Sequence, residues 1–113
     1  LVWYMGMNDG ATADTYSTYL GLIKTVCEEH SITLILNKVP TVPTIAKEAI
    51  AEVIDASGCR YIDSYSAVGS DTSGAWYDGM LSSDGVHPTE RGAKVLAGQM
   101  LVDVPEIIAY GRD

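Results

Sequence analysis

Basic residues are scarce in this 113-residue chain: seven Lys and Arg stand against fifteen Asp and Glu, for a formal net charge of −8. Phosphate backbones are bound by clustered Lys and Arg, and the seven here are scattered, so the sequence argues against a nucleic-acid partner. An anionic membrane surface is disfavoured for the same reason. There is no run of about 18 apolar residues, so nothing in the sequence reads as a membrane span. Cysteine is nearly absent too. Cys27 and Cys59 form no C-x-x-C pair, which argues against a metal or redox site. They are expected to be buried free thiols, since free Cys behaves as a small apolar residue, with a Cys27–Cys59 disulfide as the alternative. No internal repeat or low-complexity segment occurs.

What the chain does have is apolar content typical of a folded protein, 47%, and enough length for one small domain with a core. LVWYM at 1–5 is an apolar run rich in β-formers that ends at Gly6, which predicts a buried strand and a tight loop. Being strand-like from its first residue, the chain reads as part of a longer protein. From Asp14 to His30 the apolar residues Tyr16, Tyr19, Leu20, Ile23, Val26 and Cys27 recur at helical steps, with Thr12 or Asp14 as the cap. ITLILNKVP at 32–40 predicts a central strand covered on both faces. TIAKEAIAEVIDASG at 44–58 predicts a second helix, with Gly58 just past its end, and CRYIDSY at 59–65 a third strand. Residues 66–86 are irregular, and a loop that long is usually functional or disordered. A last helix is expected from Pro88 or Thr89 to about 101–103. This alternation of strands and helices predicts a parallel sheet of the α/β class.

In such sheets ligands bind beyond the carboxyl ends of the strands. Three stretches map there: GMND at 6–9, NKVPTVP at 37–43, and DGVHP at 84–88. A histidine accepts a hydroxyl proton when its other ring nitrogen donates to a carboxylate, and D-x-x-H can place Asp84 against His87. Taken alone, the pattern fits equally a turn aspartate and a residue at the start of a helix, because it is short and common. Asn8 has the same duality. N-D-G is a good turn sequence, and its amide is also a donor suited to a developing oxyanion. Asp9 reads as a loop or capping residue, and His30 as an exposed partner of a helix C-terminus.

Together these residues resemble the SGNH hydrolases, the GDSL esterase/lipase family. The resemblance rests on G-x-N-D after a buried strand and on LSSDGVHPTERGAKVLA at 81–97, in order and spacing over residues 1–108. It implies a three-layer α/β/α sandwich with a parallel, flavodoxin-like sheet, of which residues 1–113 are the C-terminal part of a single domain. It implies serine ester hydrolysis with Asn8 in the oxyanion hole, His87 as base and then acid, and Asp84 orienting it. No metal or organic cofactor is implied. The family's nucleophile lies in a G-D-S segment after an earlier strand, and no G-D-S occurs here. GSD at 69–71 has the wrong order, and Ser82 and Ser83, adjacent to the orienting Asp84, are poorly placed to be aimed by His87. The resemblance therefore implies that the serine precedes Leu1. It also implies that the strand at 1–5 needs a neighbour, from an N-terminal segment of the same protein or another chain, since an open strand edge is a template for pairing.

Val39, Val42, Trp76, Tyr77 and Met80 are candidate substrate-lining residues from their loop positions, against a reading as ordinary packing. The expected substrate is a small-molecule, carbohydrate or lipid ester. A non-catalytic ligand-binding or assembly module is the alternative, favoured by the missing nucleophile. A hydrolase-like carbohydrate-binding protein is a third reading, which exposed aromatics at 76–77 would support.

Overall fold

A computed structural model describes residues 1–3, 12–43, 45 and 47–107. The elements run β1 (Val2–Trp3), α1 (Ala13–Glu29), β2 (Ile35–Asn37), α2 (Glu48–Ala56), β3 (Arg60–Ile62), α3 (Ser64–Ala67) and α4 (Glu90–Asp103). The strands form one sheet in the order β1-β2-β3. Both pairs are parallel, with Trp3 beside Leu36 and Leu36 beside Tyr61.

Side-chain alternation along β2 decides the layers. Leu36 points to one face, where it packs with Tyr16 and Leu20 of α1 and Ile50 and Ile54 of α2; Trp3 and Tyr61 join this cluster. Ile35 points to the other face, with Ile62, Val104 and Met100 near the end of α4. The result is an α/β/α sandwich: α1 and α2 on one side of the parallel sheet and α4 on the other. All three residues of β2 are buried. Burying the Asn37 amide is offset by a hydrogen bond, the Ser64 hydroxyl donating to Asn37 Oδ1 at 2.6 Å.

Local chemistry sets the element ends. Thr12 caps α1 in a reciprocal box with Thr15: the Thr15 N–H donates to Thr12 Oγ1 at 3.2 Å and the Thr12 N–H to Thr15 Oγ1 at 2.9 Å. The helix expected over 44–58 begins only at Glu48, because Val42 and Ile45 exchange backbone hydrogen bonds in an isolated bridge that precludes an earlier helical turn. The strand expected over 59–65 stops at Ile62 because the Asp63 carboxylate accepts from the Ser66 N–H at 3.0 Å and starts α3 instead. Likewise the strand expected over 32–40 shortens to 35–37, one ladder bond, Lys38 N–H to the Ile62 carbonyl, continuing past it. The last helix matches its expected span, capped by Thr89, whose hydroxyl accepts from the Gly92 N–H at 3.0 Å. Both cysteines are free, Cys27 buried and Cys59 half-buried.

Polar contacts fix the helices to the sheet. Lys38 Nζ donates to both oxygens of Asp55 at 3.0 and 2.9 Å, joining the end of β2 to α2. The Asp103 carboxylate accepts from the Asp63 N–H at 2.8 Å and from Gln99 at 2.9 Å, joining α4 to the end of β3. No described helix is long and apolar enough to cross a membrane.

Gly92, in the first turn of α4, is a point of close approach. A methyl group there would fall on the Met80 carbonyl oxygen. Gly92→Ala should therefore destabilise the protein by about 1–3 kcal/mol through overpacking, although Ala is the better helix former by up to about 1 kcal/mol. Equilibrium denaturation checks the sign, and a stabilised Ala variant would refute the close approach.

Candidate functional site

The loops at the carboxyl ends of β2 and β3 are tied together at Thr41. Its carbonyl accepts the Trp76 indole N–H at 2.8 Å and the Ser70 hydroxyl at 3.1 Å, while its N–H donates back to Ser70 Oγ at 3.0 Å. Gly74, with φ 82°, lies so close to the Val42 and Pro43 backbone that no side chain would fit. Val39, Val42 and Met80 are buried in this loop assembly, at 3%, 1% and 7% exposure, whereas Trp76 is half-buried and Tyr77 is 62% exposed. Of the five candidate lining residues, only Tyr77 thus offers a large open surface.

From Met80 the chain turns back on itself. The Thr89 N–H donates to the Met80 carbonyl, Leu81 bridges Pro88, and the Ser82 N–H donates to the His87 carbonyl at 2.9 Å. These bonds close a short hairpin at the N-terminal end of α4, with Asp84 and His87 in it. Gly85 takes φ 72° at its tip, a conformation that L side chains avoid, and its N–H donates to the Ser82 carbonyl.

Inside the hairpin, Asp84 Oδ2 lies 2.7 Å from His87 Nδ1. An ionised carboxylate can only accept, so Nδ1 carries a proton and donates, and in the neutral ring Nε2 is then the acceptor. The other carboxylate oxygen, Oδ1, accepts from the Ser82 hydroxyl at 2.6 Å, the Val86 N–H at 2.8 Å and the His87 N–H at 2.9 Å. The Ser82 hydroxyl, then the His87 backbone and ring donors and the Val86 N–H, hold the Asp84 carboxyl well below the usual carboxylate range. Both side chains are open to solvent, His87 at 75% and Asp84 at 50%. An exposed neutral imidazole held by Nδ1, with no partner on Nε2 among the described residues, is chemically able to take a proton from a nearby hydroxyl.

Asn8 and Asp9 lie outside the described residues, so no distance to them enters the site. His30 ends α1 and is exposed. Two polar residues in the site carry more than sequence reasoning assigned them. Ser82, poorly placed as a nucleophile, instead serves Asp84, and S-x-D is a spacing at which a hydroxyl reaches a carboxylate within a turn. Thr41 had no distinguishing signal, because its partners Ser70 and Trp76 are 29 and 35 residues away. Among the described residues, no group of three or more His, Cys, Asp or Glu is arranged to hold a metal ion.

No family model and no curated protein matches the chain. Solved structures do. A carbohydrate esterase family 3 protein from Talaromyces cellulolyticus superposes with a TM-score of 0.66 at 20% identity, over 96% of this chain and 57% of the other. A protein from Bacteroides fragilis assigned as an acylhydrolase superposes with a TM-score of 0.63 at 22% identity, over 89% of this chain and 56% of its own. The chain thus spans little more than half the length of either structure. At these identities the likeness shows a shared fold, an α/β architecture with a parallel sheet.

Proposed function

We propose that the chain is the C-terminal part of a serine ester hydrolase of the SGNH type. One observation carries the reading: Asp84 and His87 stand as an oriented carboxylate–imidazole pair, 2.7 Å apart, with Nε2 making no hydrogen bond among the described residues. Supporting it are the esterase and the acylhydrolase that share the fold. In this reading the serine comes from a segment preceding Leu1. His87 Nε2 takes the serine hydroxyl proton as the oxygen attacks the ester carbonyl carbon. The carbonyl π electrons move onto oxygen, and the Asn8 amide stabilises that oxyanion. The tetrahedral adduct collapses, and His87 returns the proton to the departing alcohol. Water then repeats the sequence on the acyl-enzyme. Asp84 keeps its negative charge throughout and stabilises the imidazolium.

The substrate is a small-molecule, carbohydrate or lipid ester. Tyr77, whose ring lies over Gly69 and is 62% exposed, is the lining candidate most open to contact with a sugar or acyl group. The serine-bearing segment is proposed to lie along β1, from the same protein or another chain. In support, β1 has β2 as its single neighbour among the described residues, and Leu1 and Val2 are exposed. The absence of G-D-S from the chain keeps a non-catalytic binding module as the second reading.

A fluorophosphonate probe should label a serine of the full-length protein, and no label would favour the binding module. His87→Ala should lower kcat by at least about 10³-fold, and Asn8→Ala by about 10²–10³-fold if its amide serves the oxyanion. Steady-state kinetics on a chromogenic acetate ester measure both.

Residues 1–113 expressed alone should self-associate or fail to fold. A monomer of one chain's mass by light scattering, with cooperative unfolding, would refute the need for a neighbour at β1.

Asp84 should titrate below the ordinary carboxylate value of 3.8. A depressed carboxyl stabilises the folded state above its unfolded pKa, and that contribution is lost as pH falls through the folded value. The side-chain ¹³C shift of Asp84 should therefore stay at its ionised position while exposed aspartates protonate. A midpoint near 3.8 would remove the hydrogen-bond account.

A further inference from the structure

We infer that Ser82 is a positioning residue for the Asp84–His87 pair, its hydroxyl locking the Asp84 carboxylate so that Oδ2 alone faces the imidazole. The inference rests on the hydrolase reading for its catalytic consequence, though not for its geometry.

The Asp84 side chain is half exposed, so water competes for both oxygens, and the carboxylate can rotate about its last torsion to exchange them. What distinguishes the oxygens is the set of donors on each. Oδ1 takes three, Oδ2 one. Two of the three are backbone N–H groups of Val86 and His87, on the C-terminal side of the aspartate. Ser82 supplies the third from the N-terminal side, and at 2.6 Å it is the shortest. Hydroxyl-to-carboxylate bonds of that length are charge-assisted and about twice as strong as neutral ones. With donors from both sides of the turn, the carboxylate can neither rotate nor swing away without breaking a bond that water must replace.

Ser82 is itself held in place. Its N–H donates to the His87 carbonyl at 2.9 Å, its carbonyl accepts from the Gly85 N–H at 3.0 Å, and the preceding Leu81 bridges Pro88. The hydroxyl proton is committed to Asp84, which excludes Ser82 as a hydroxyl activated by His87. Ser83, the next residue, is exposed, and its hydroxyl makes no hydrogen bond among the described residues. It is a built-in control for the loss of a serine from the same hairpin.

The test uses the full-length protein, p-nitrophenyl acetate as probe ester, and the downfield ¹H resonance of the His87 Nδ1–H. Ser82→Ala should lower kcat by about ten-fold, the worth of one hydrogen bond, with KM unchanged. It should also shift or broaden the Nδ1–H resonance. Ser82→Thr, which keeps the hydroxyl, should restore both, and Ser83→Ala should match the wild type. A Ser82→Ala protein with wild-type kcat and an unchanged resonance overturns the inference, as does an equal loss in Ser83→Ala. Should Ser82→Ala not fold, Ser82→Cys, a weaker donor of similar size, takes its place with the same readouts. Hydrolysis that survives His87→Ala would defeat the hydrolase reading instead, and the Nδ1–H resonance in Ser82→Ala would still decide the positioning role.

Discussion

β2 is only three residues long, yet every layer of the molecule meets on it. Ile35, Leu36 and Asn37 are all buried, and they point alternately to the two faces. Leu36 anchors the cluster formed with α1 and α2, and Ile35 anchors the cluster formed with the end of α4. A one-residue slip in register would exchange these faces and place Asn37 where Leu36 belongs. The hydrogen bond from Ser64 to Asn37 matters for that reason. It satisfies the amide oxygen in the native register alone and sits where the strand hands over to the loops at its carboxyl end.

Beyond β2 the structure becomes a relay of hydrogen bonds between loops. Thr41 binds Ser70 and Trp76, Val68 binds Tyr77, Met80 binds Thr89, and Ser82 binds His87. Each contact joins a loop to the next, so the hairpin with Asp84 and His87 is referenced to the sheet through hydrogen bonds that each use at least one backbone group. The capped start of α4 gives that hairpin a rigid base. An exposed carboxylate–imidazole pair needs such support, because neither side chain is immobilised by burial.

The helices and the parallel α/β class were legible because periodicity and capping are local. Thr12, Thr89 and the spacing of Tyr16, Leu20 and Cys27 needed no knowledge of distant partners. The Asp84–His87 contact was legible for the same reason, being made within one turn. The shortened strands were less so. Asp63 can pair in a ladder or cap a turn, and its choice depends on Asp103, 40 residues away, occupying its N–H.

The sequence by itself determined the alternation of elements, the scarcity of positive charge and the turn that joins a carboxylate to an imidazole, since each depends on residues within a few positions of one another. Only the tertiary structure decided that Val39, Val42 and Met80 are interior and that Tyr77 is open. Burial depends on what the rest of the chain brings alongside, and a side chain's identity carries no information about that.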